Sequence, residues 1–163
     1  MKRIFAYILL LFCYVPVFMA QSLSDARELY LNGKYAEALP VFESEYNAKP
    51  NDVSLNHWYG VCLYETGGNL DKAVECLTIA SKRGIQDSFL YLGRIYTKQY
   101  KFSEAQAAFD DYESRLTKNT RSKKKDELEK ERLALEKLDK DRAVLARLRR
   151  MATNVEDIQI IDS

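Results

Sequence analysis

An all-α protein built from repeated helical hairpins is what this sequence of 163 residues predicts, and three observations carry that prediction. The first is the stretch Phe89-Leu-Tyr-Leu92-Gly93-Arg-Ile-Tyr96, followed after a short turn by Ala105-Gln-Ala-Ala-Phe109. It places a large apolar residue, a Leu-Gly pair and an aromatic along one helix, and an alanine and a phenylalanine four apart on the next. The second is that two further copies of this plan precede it. Their equivalent alanines, Ala38, Ala73 and Ala105, are separated by 35 and then 32 residues, and a period of that size in helix–turn–helix units marks a solenoid. The third is a change of character after residue 116, where Glu, Lys, Arg, Leu and Ala predominate and predict one long helix.

At the amino end, Lys2 and Arg3 precede an apolar run from Ile4 to Phe18, broken by Pro16, and Ala20-Gln21 gives a small residue before a polar helix start. This pattern predicts a signal peptide over residues 1–20, because about fifteen apolar residues fall short of the roughly 20 that span a bilayer. An uncleaved anchor is the alternative. Cys13 follows Phe12 inside the apolar run, a poor match to a lipoprotein cleavage site. The mature chain is then expected to start near Gln21, in the periplasm or at the cell surface, touching a membrane only through the signal segment before cleavage.

The first hairpin spans residues 24–50. Ser24 or Ser22 caps a helix carrying Ala26, Leu29 and Tyr30; Asn32-Gly33 ends it; Tyr35, Ala38, Leu39 and Phe42 form the inner stripe of the return helix, which Pro50-Asn51 stops. In the second hairpin, residues 52–83, Asp52 caps a helix with Trp58, Tyr59, Gly60 and Leu63. Thr66-Gly67-Gly68-Asn69 makes the turn, and Leu70, Ala73, Leu77 and Ala80 make the return stripe. The third, residues 86–116, turns at Tyr100-Lys101 without a glycine.

These residues resemble the tetratricopeptide repeat (TPR) family, whose pattern is a large residue, Leu-Gly, Tyr, then Ala, Phe and a closing Pro. The third copy matches with Phe89, Leu92-Gly93, Tyr96, Ala105 and Phe109 but lacks the proline. The second matches with Tyr59-Gly60, Leu63, Ala73 and Leu77, with Asn56 in place of the first large residue. The first keeps Ala26, Leu29, Ala38, Phe42 and Pro50, with Asp25 in place of leucine. The resemblance covers residues 22–116 and implies a right-handed TPR solenoid of three hairpins plus the long C-terminal helix. It also implies a groove, lined by the first helices, that takes a peptide or a partner helix. Carried onto this chain, the groove residues are Arg27, Tyr30 and Leu31, then His57, Val61, Tyr64 and Glu65, then Leu90, Arg94, Thr97 and Lys98. Tyr64 and Arg94 are the expected anchors, since aromatic and arginine side chains dominate desolvated interfaces. Chaperone-binding members of the family clamp a terminal carboxylate with Lys and Asn. Leu23, Arg27, Val61 and Asp87 stand at the matching places here, so the clamp is absent.

Net charge is divided unevenly along the chain. Residues 21–114 carry 9 basic and 14 acidic side chains, residues 115–150 carry 14 and 7, and the last thirteen residues are net −3. The basic block is mixed rather than purely cationic, so no nucleic-acid footprint is expected. Leu128, Leu135, Leu138 and Leu145, with Val144 and Leu148 nearby, form a narrow seam on the charged helix of residues 117–152; Glu127–Lys130 and Glu136–Lys140 are spaced to pair along its surface. That seam fits a capping helix over the third hairpin that projects beyond it. A coiled-coil dimer seam, which Glu131 and Arg142 interrupt, and a site for an acidic partner are the sharper alternatives. Residues 153–163, with Val155, Ile158, Ile160 and Ile161 among polar residues, are expected to be extended, as a docked tail or the entry strand of a further domain.

Nothing in the sequence announces chemistry. His57 is the single histidine, no Gly-rich phosphate loop follows a strand, and no metal pair can be assembled from histidines. No catalytic residue, cofactor, metal or small-molecule substrate is expected. Cys62 and Cys76 sit on opposite helices of the second hairpin, where they could bridge or remain buried thiols. The expected function is a non-catalytic scaffold, exported to the envelope, that holds a protein partner. The alternative is the amino-terminal module of a larger envelope protein, in the manner of TPR modules that lead into a β-propeller.

Overall fold

The structure, a computed structural model, describes residues 22–161; residues 1–21, where a signal peptide is expected, and the last two residues lie outside the described residues. Among these residues there are seven helices and no strand: α1 Leu23–Leu31, α2 Tyr35–Ala48, α3 Val53–Glu65, α4 Leu70–Lys82, α5 Asp87–Lys98, α6 Phe102–Arg115 and α7 Lys118–Ile161. Each helix packs on the next, α3 also touches α5, and α7 lies against both α6 and α5. Three antiparallel hairpins therefore stack in a row, with the long helix closing the row.

Local chemistry sets the boundaries. Ser22, not Ser24, caps α1 in a capping box with Asp25; Asp52 and Asn69 cap α3 and α4 by accepting from Leu55 and Lys72 amides. Gly33 and Gly67 end first helices at φ +73° and +69°. In the third hairpin Tyr100 takes that place at φ 58°, a conformation that costs a residue with a Cβ.

The small residues sit where paired helices cross. Ala26 is fully buried. A Cβ on Gly60 would stand 2.8 Å from Leu77 Cγ and 3.3 Å from the Ala73 carbonyl, and one on Gly93 would overlap the Phe109 ring. Phe42, Leu77, Phe109 and Tyr112 are fully buried beside these crossings, each apolar side chain contributing about 1.5–3 kcal/mol. Between the first two hairpins, Phe42 stacks on Trp58 and Tyr46 on Tyr59, at 5.5 Å and 5.0 Å. Asn56, which replaces a large residue, is fully buried and donates to the carbonyls of Pro50 and Asp52 at 2.7 Å and 2.8 Å. It fastens the inter-hairpin turn instead of filling the core.

Several expectations are corrected. Residues 155–161 continue α7 as helix and do not form a strand; with no sheet to join, Val and Ile here follow the helix that precedes them. Of the two states left open for Cys62 and Cys76, the structure has the second: both are buried free thiols. Burial pushes them up to about 12 and about 11, which removes thiolate reactivity. The long helix does cover the third hairpin and project beyond it: Leu128 and Leu135 are each 5% exposed against the body, whereas Leu145, past the end of the body, is 58% exposed. Glu136 pairs with Lys140 as spaced, but Glu127 turns to Arg94 rather than to Lys130.

Candidate functional site: the first-helix face

Helices α1, α3 and α5 place a continuous run of rings across the three hairpins. Tyr30 meets His57 edge-on at 6.3 Å, His57 meets Tyr91 at 6.3 Å, and Tyr91 meets Tyr64 at 5.7 Å. Tyr30 also meets Tyr35 and Phe42, which joins the run to the first return helix. Tyr30, Tyr64 and Tyr91 are half-buried, so one side of each ring packs and the other meets solvent. Burial raises all three phenols above their ordinary value, with the Glu65 carboxylate among the further causes. Their hydroxyls therefore stay protonated and neutral.

Cations lie over these aromatic residues. Arg27 sits 4.4 Å from the Trp58 ring, Lys98 4.2 Å from Tyr64 and Arg94 5.2 Å from Tyr91. Arg27, Lys98 and Glu65 are exposed, which leaves charged groups at both ends of the aromatic run.

His57 is the hinge of the polar chemistry. It is 8% exposed, its Nδ1 lies 2.9 Å from Ser88 Oγ and its Nε2 lies 3.2 Å from the Tyr30 hydroxyl. Either neutral tautomer satisfies both partners, because each hydroxyl can donate or accept. Burial lowers the imidazole to about 4, opposed by the Asp87 carboxylate. Ser88 is fully buried, so the pair links α1, α3 and α5 and offers no exposed nucleophile.

Of the residues expected in the groove, Arg27, Tyr30, His57, Tyr64, Glu65 and Lys98 thus fall on or beside this face. Leu31 is exposed outside the ring contacts, and Thr97 donates to the Gly93 carbonyl at 2.8 Å. Val61 and Leu90 are buried in the core instead. Arg94 is claimed by α7: its Nε and Nη2 donate to Glu131 and Glu127, each at 2.8 Å. Burial opposes its charge, but the two carboxylates outweigh that and raise its pKa. Asp87 of α5 is likewise paired with Lys124 of α7. The sequence reading missed Tyr91 and the His57–Ser88 link. Tyr91 and Trp58 both stand immediately before the residue pair that contains the crossing glycine, and that shared position was the available signal. Among the described residues, no group of three or more His, Cys, Asp or Glu could hold a metal, and no helix is long and apolar enough to cross a membrane.

This arrangement of stacked hairpins defines an all-α, TPR-like helical-repeat fold. The type III secretion chaperone SycD of Yersinia enterocolitica, solved in complex with a peptide of the translocator YopD, has a similar structure. The TM-score is 0.59 at 19% identity, over 72% of this chain and 91% of that one. No family model matches the sequence, and no curated relative does.

Proposed function

We propose that this protein is a non-catalytic scaffold that holds a segment of a partner protein against the first-helix face, outside the cytoplasm. The observation that carries the reading is the half-exposed set Tyr30, Tyr64 and Tyr91, joined through the buried His57 and bordered by Arg27, Lys98 and Glu65. Aromatic surface combined with laterally placed charge is the chemistry of protein recognition sites. The peptide-bound SycD structure has the same kind of fold, which supports the reading by analogy. The Lys2–Ala20 segment supports export.

Arg94 is a poor test residue because its removal would also release α7. Tyr64→Ala with Lys98→Ala is better, since Lys98 is exposed and Tyr64 half-buried. A photo-cross-linker at Glu65 in cells should trap a defined partner. The double variant should bind that partner at least tenfold more weakly, about 1.4 kcal/mol, with its helical signal unchanged. Equal capture by the double variant would overturn the reading.

A further inference from the structure

The two junctions between hairpins share one register but are filled differently. By position relative to the alanines Ala38, Ala73 and Ala105 and the crossing glycines Gly60 and Gly93, Tyr46 of α2 corresponds to Ser81 of α4, Tyr59 of α3 to Leu92 of α5, and Lys72 of α4 to Glu104 of α6. In the first junction the Tyr46 ring is buried, stacks on Tyr59 at 5.0 Å and has the Lys72 ammonium 4.8 Å from its centroid. In the second a buried serine, Ser81, takes the place of the ring, and its hydroxyl turns back to donate to the Thr78 carbonyl at 3.1 Å. The result is an open groove of about 590 Å³ between α4 and α6, lined by all three of Ser81, Leu92 and Glu104. Phe89, Ala107 and Ala108 add to its apolar lining.

Tyr46 shows what such a junction accepts: an aromatic ring stacked on the middle helix and closed over by the next hairpin. Glu104 then decides which ring. The face of an aromatic ring carries negative potential and repels a carboxylate, whereas a phenol hydroxyl donates to one. The Tyr59 hydroxyl already donates to Glu43 in this way, at 3.2 Å. We propose that the groove between α4 and α6 takes a tyrosine side chain of a partner protein, its ring on Leu92 and its hydroxyl donating to Glu104. The groove lies on the return helices, away from the first-helix face, and the proposal stands whether or not that face binds a segment.

Methyl NMR of the chain from Gln21 onward, titrated with p-cresol as the tyrosine side chain alone, tests the fit. The phenol should give saturable shifts at Leu92, Ala107 and Ala108. Ser81→Tyr should fill the groove from within, as Tyr46 fills the first junction: p-cresol binding should fall at least tenfold with no drop in melting temperature. Glu104→Leu should weaken p-cresol at least threefold relative to toluene. A photo-cross-linker at Ala107 in cells should trap a partner through a fragment that contains tyrosine, and Ser81→Tyr should abolish the trap. The absence of saturable shifts, a Ser81→Tyr variant that melts well below the wild type as an overpacked core would, or a trapped fragment without tyrosine would overturn the proposal. So would trapping of a second copy of this chain, which would make the groove a self-association contact.

Discussion

The second hairpin and the last helix are both regular helix, yet they are held in different ways. Helix α3 is buried nearly all round: Leu55, Asn56, His57, Tyr59, Gly60, Val61, Cys62 and Leu63 are all enclosed. Most of its contacts are with the helices on either side of it in sequence. Helix α7 runs for 44 residues, about 66 Å, and only its first half is held. Its partners come from far back in the chain: Arg94 for Glu127 and Glu131, Asp87 for Lys124, and Asp110 and Glu113 for Arg132. One region is built by tight local crossings, the other by a few long-range ion pairs and two leucines.

The largest effect should come from breaking a crossing. Gly93→Leu forces a side chain into the Phe109 ring, at a cost of about 3 kcal/mol or more. The measured result should be loss of a single cooperative melting transition. Lys101→Ala, on the exposed rim of the same hairpin, should stay within about 0.5 kcal/mol. Equal melting of the two variants would refute the idea that crossings hold this body together.

That contrast also explains what could be read from the sequence. The hairpins were legible because helix pairing joins residues at spacings the chain repeats: Gly60 and Gly93, then Ala73 and Ala105, then Leu77 and Phe109. The fate of Arg94 was not legible, since the carboxylates that take it lie 33 and 37 residues later, across a break in the repeat. Leu90 and Tyr91 show a subtler limit. One residue is about 100° of helix rotation, and that step exchanges a buried leucine for a half-buried tyrosine of the first-helix face. The helical course of residues 155–161 was missed for a similar reason: β-branched residues favour a strand only where there is a sheet to accept them.

A smaller effect sharpens the comparison within α7 itself. Leu135 and Leu133 are two residues apart, yet they are 5% and 59% exposed. Leu135→Ala should cost about 2–3 kcal/mol and loosen α7 from α6, because it leaves a cavity under the helix. Leu133→Ala should change stability by less than about 0.5 kcal/mol. Chemical denaturation of the two variants reads this directly; equal losses would mean that both sides of the helix are covered.

The smallest effect returns to the body and tests its buried histidine. His57 is lowered to about 4 in the folded protein from an ordinary 6.5, mainly by burial, so the unfolded chain binds the extra proton first. Stability is then full above 6.5 and falls as pH drops through the window from 6.5 towards 4. Lowering the pH from 6.5 to roughly 5.5 should cost about 1 kcal/mol from this group alone. Protonation would also turn the imidazole into a double donor, acceptable to both hydroxyls only if each accepts. The charge itself, sealed between α1, α3 and α5, is therefore the main penalty. Urea unfolding at the two pH values isolates it when His57→Gln is measured in parallel, because glutamine keeps a polar side chain but cannot titrate. The wild type should lose more stability than the variant across that interval. Parallel losses would place the proton elsewhere and show that the link from Tyr30 through His57 to Ser88 tolerates a charge.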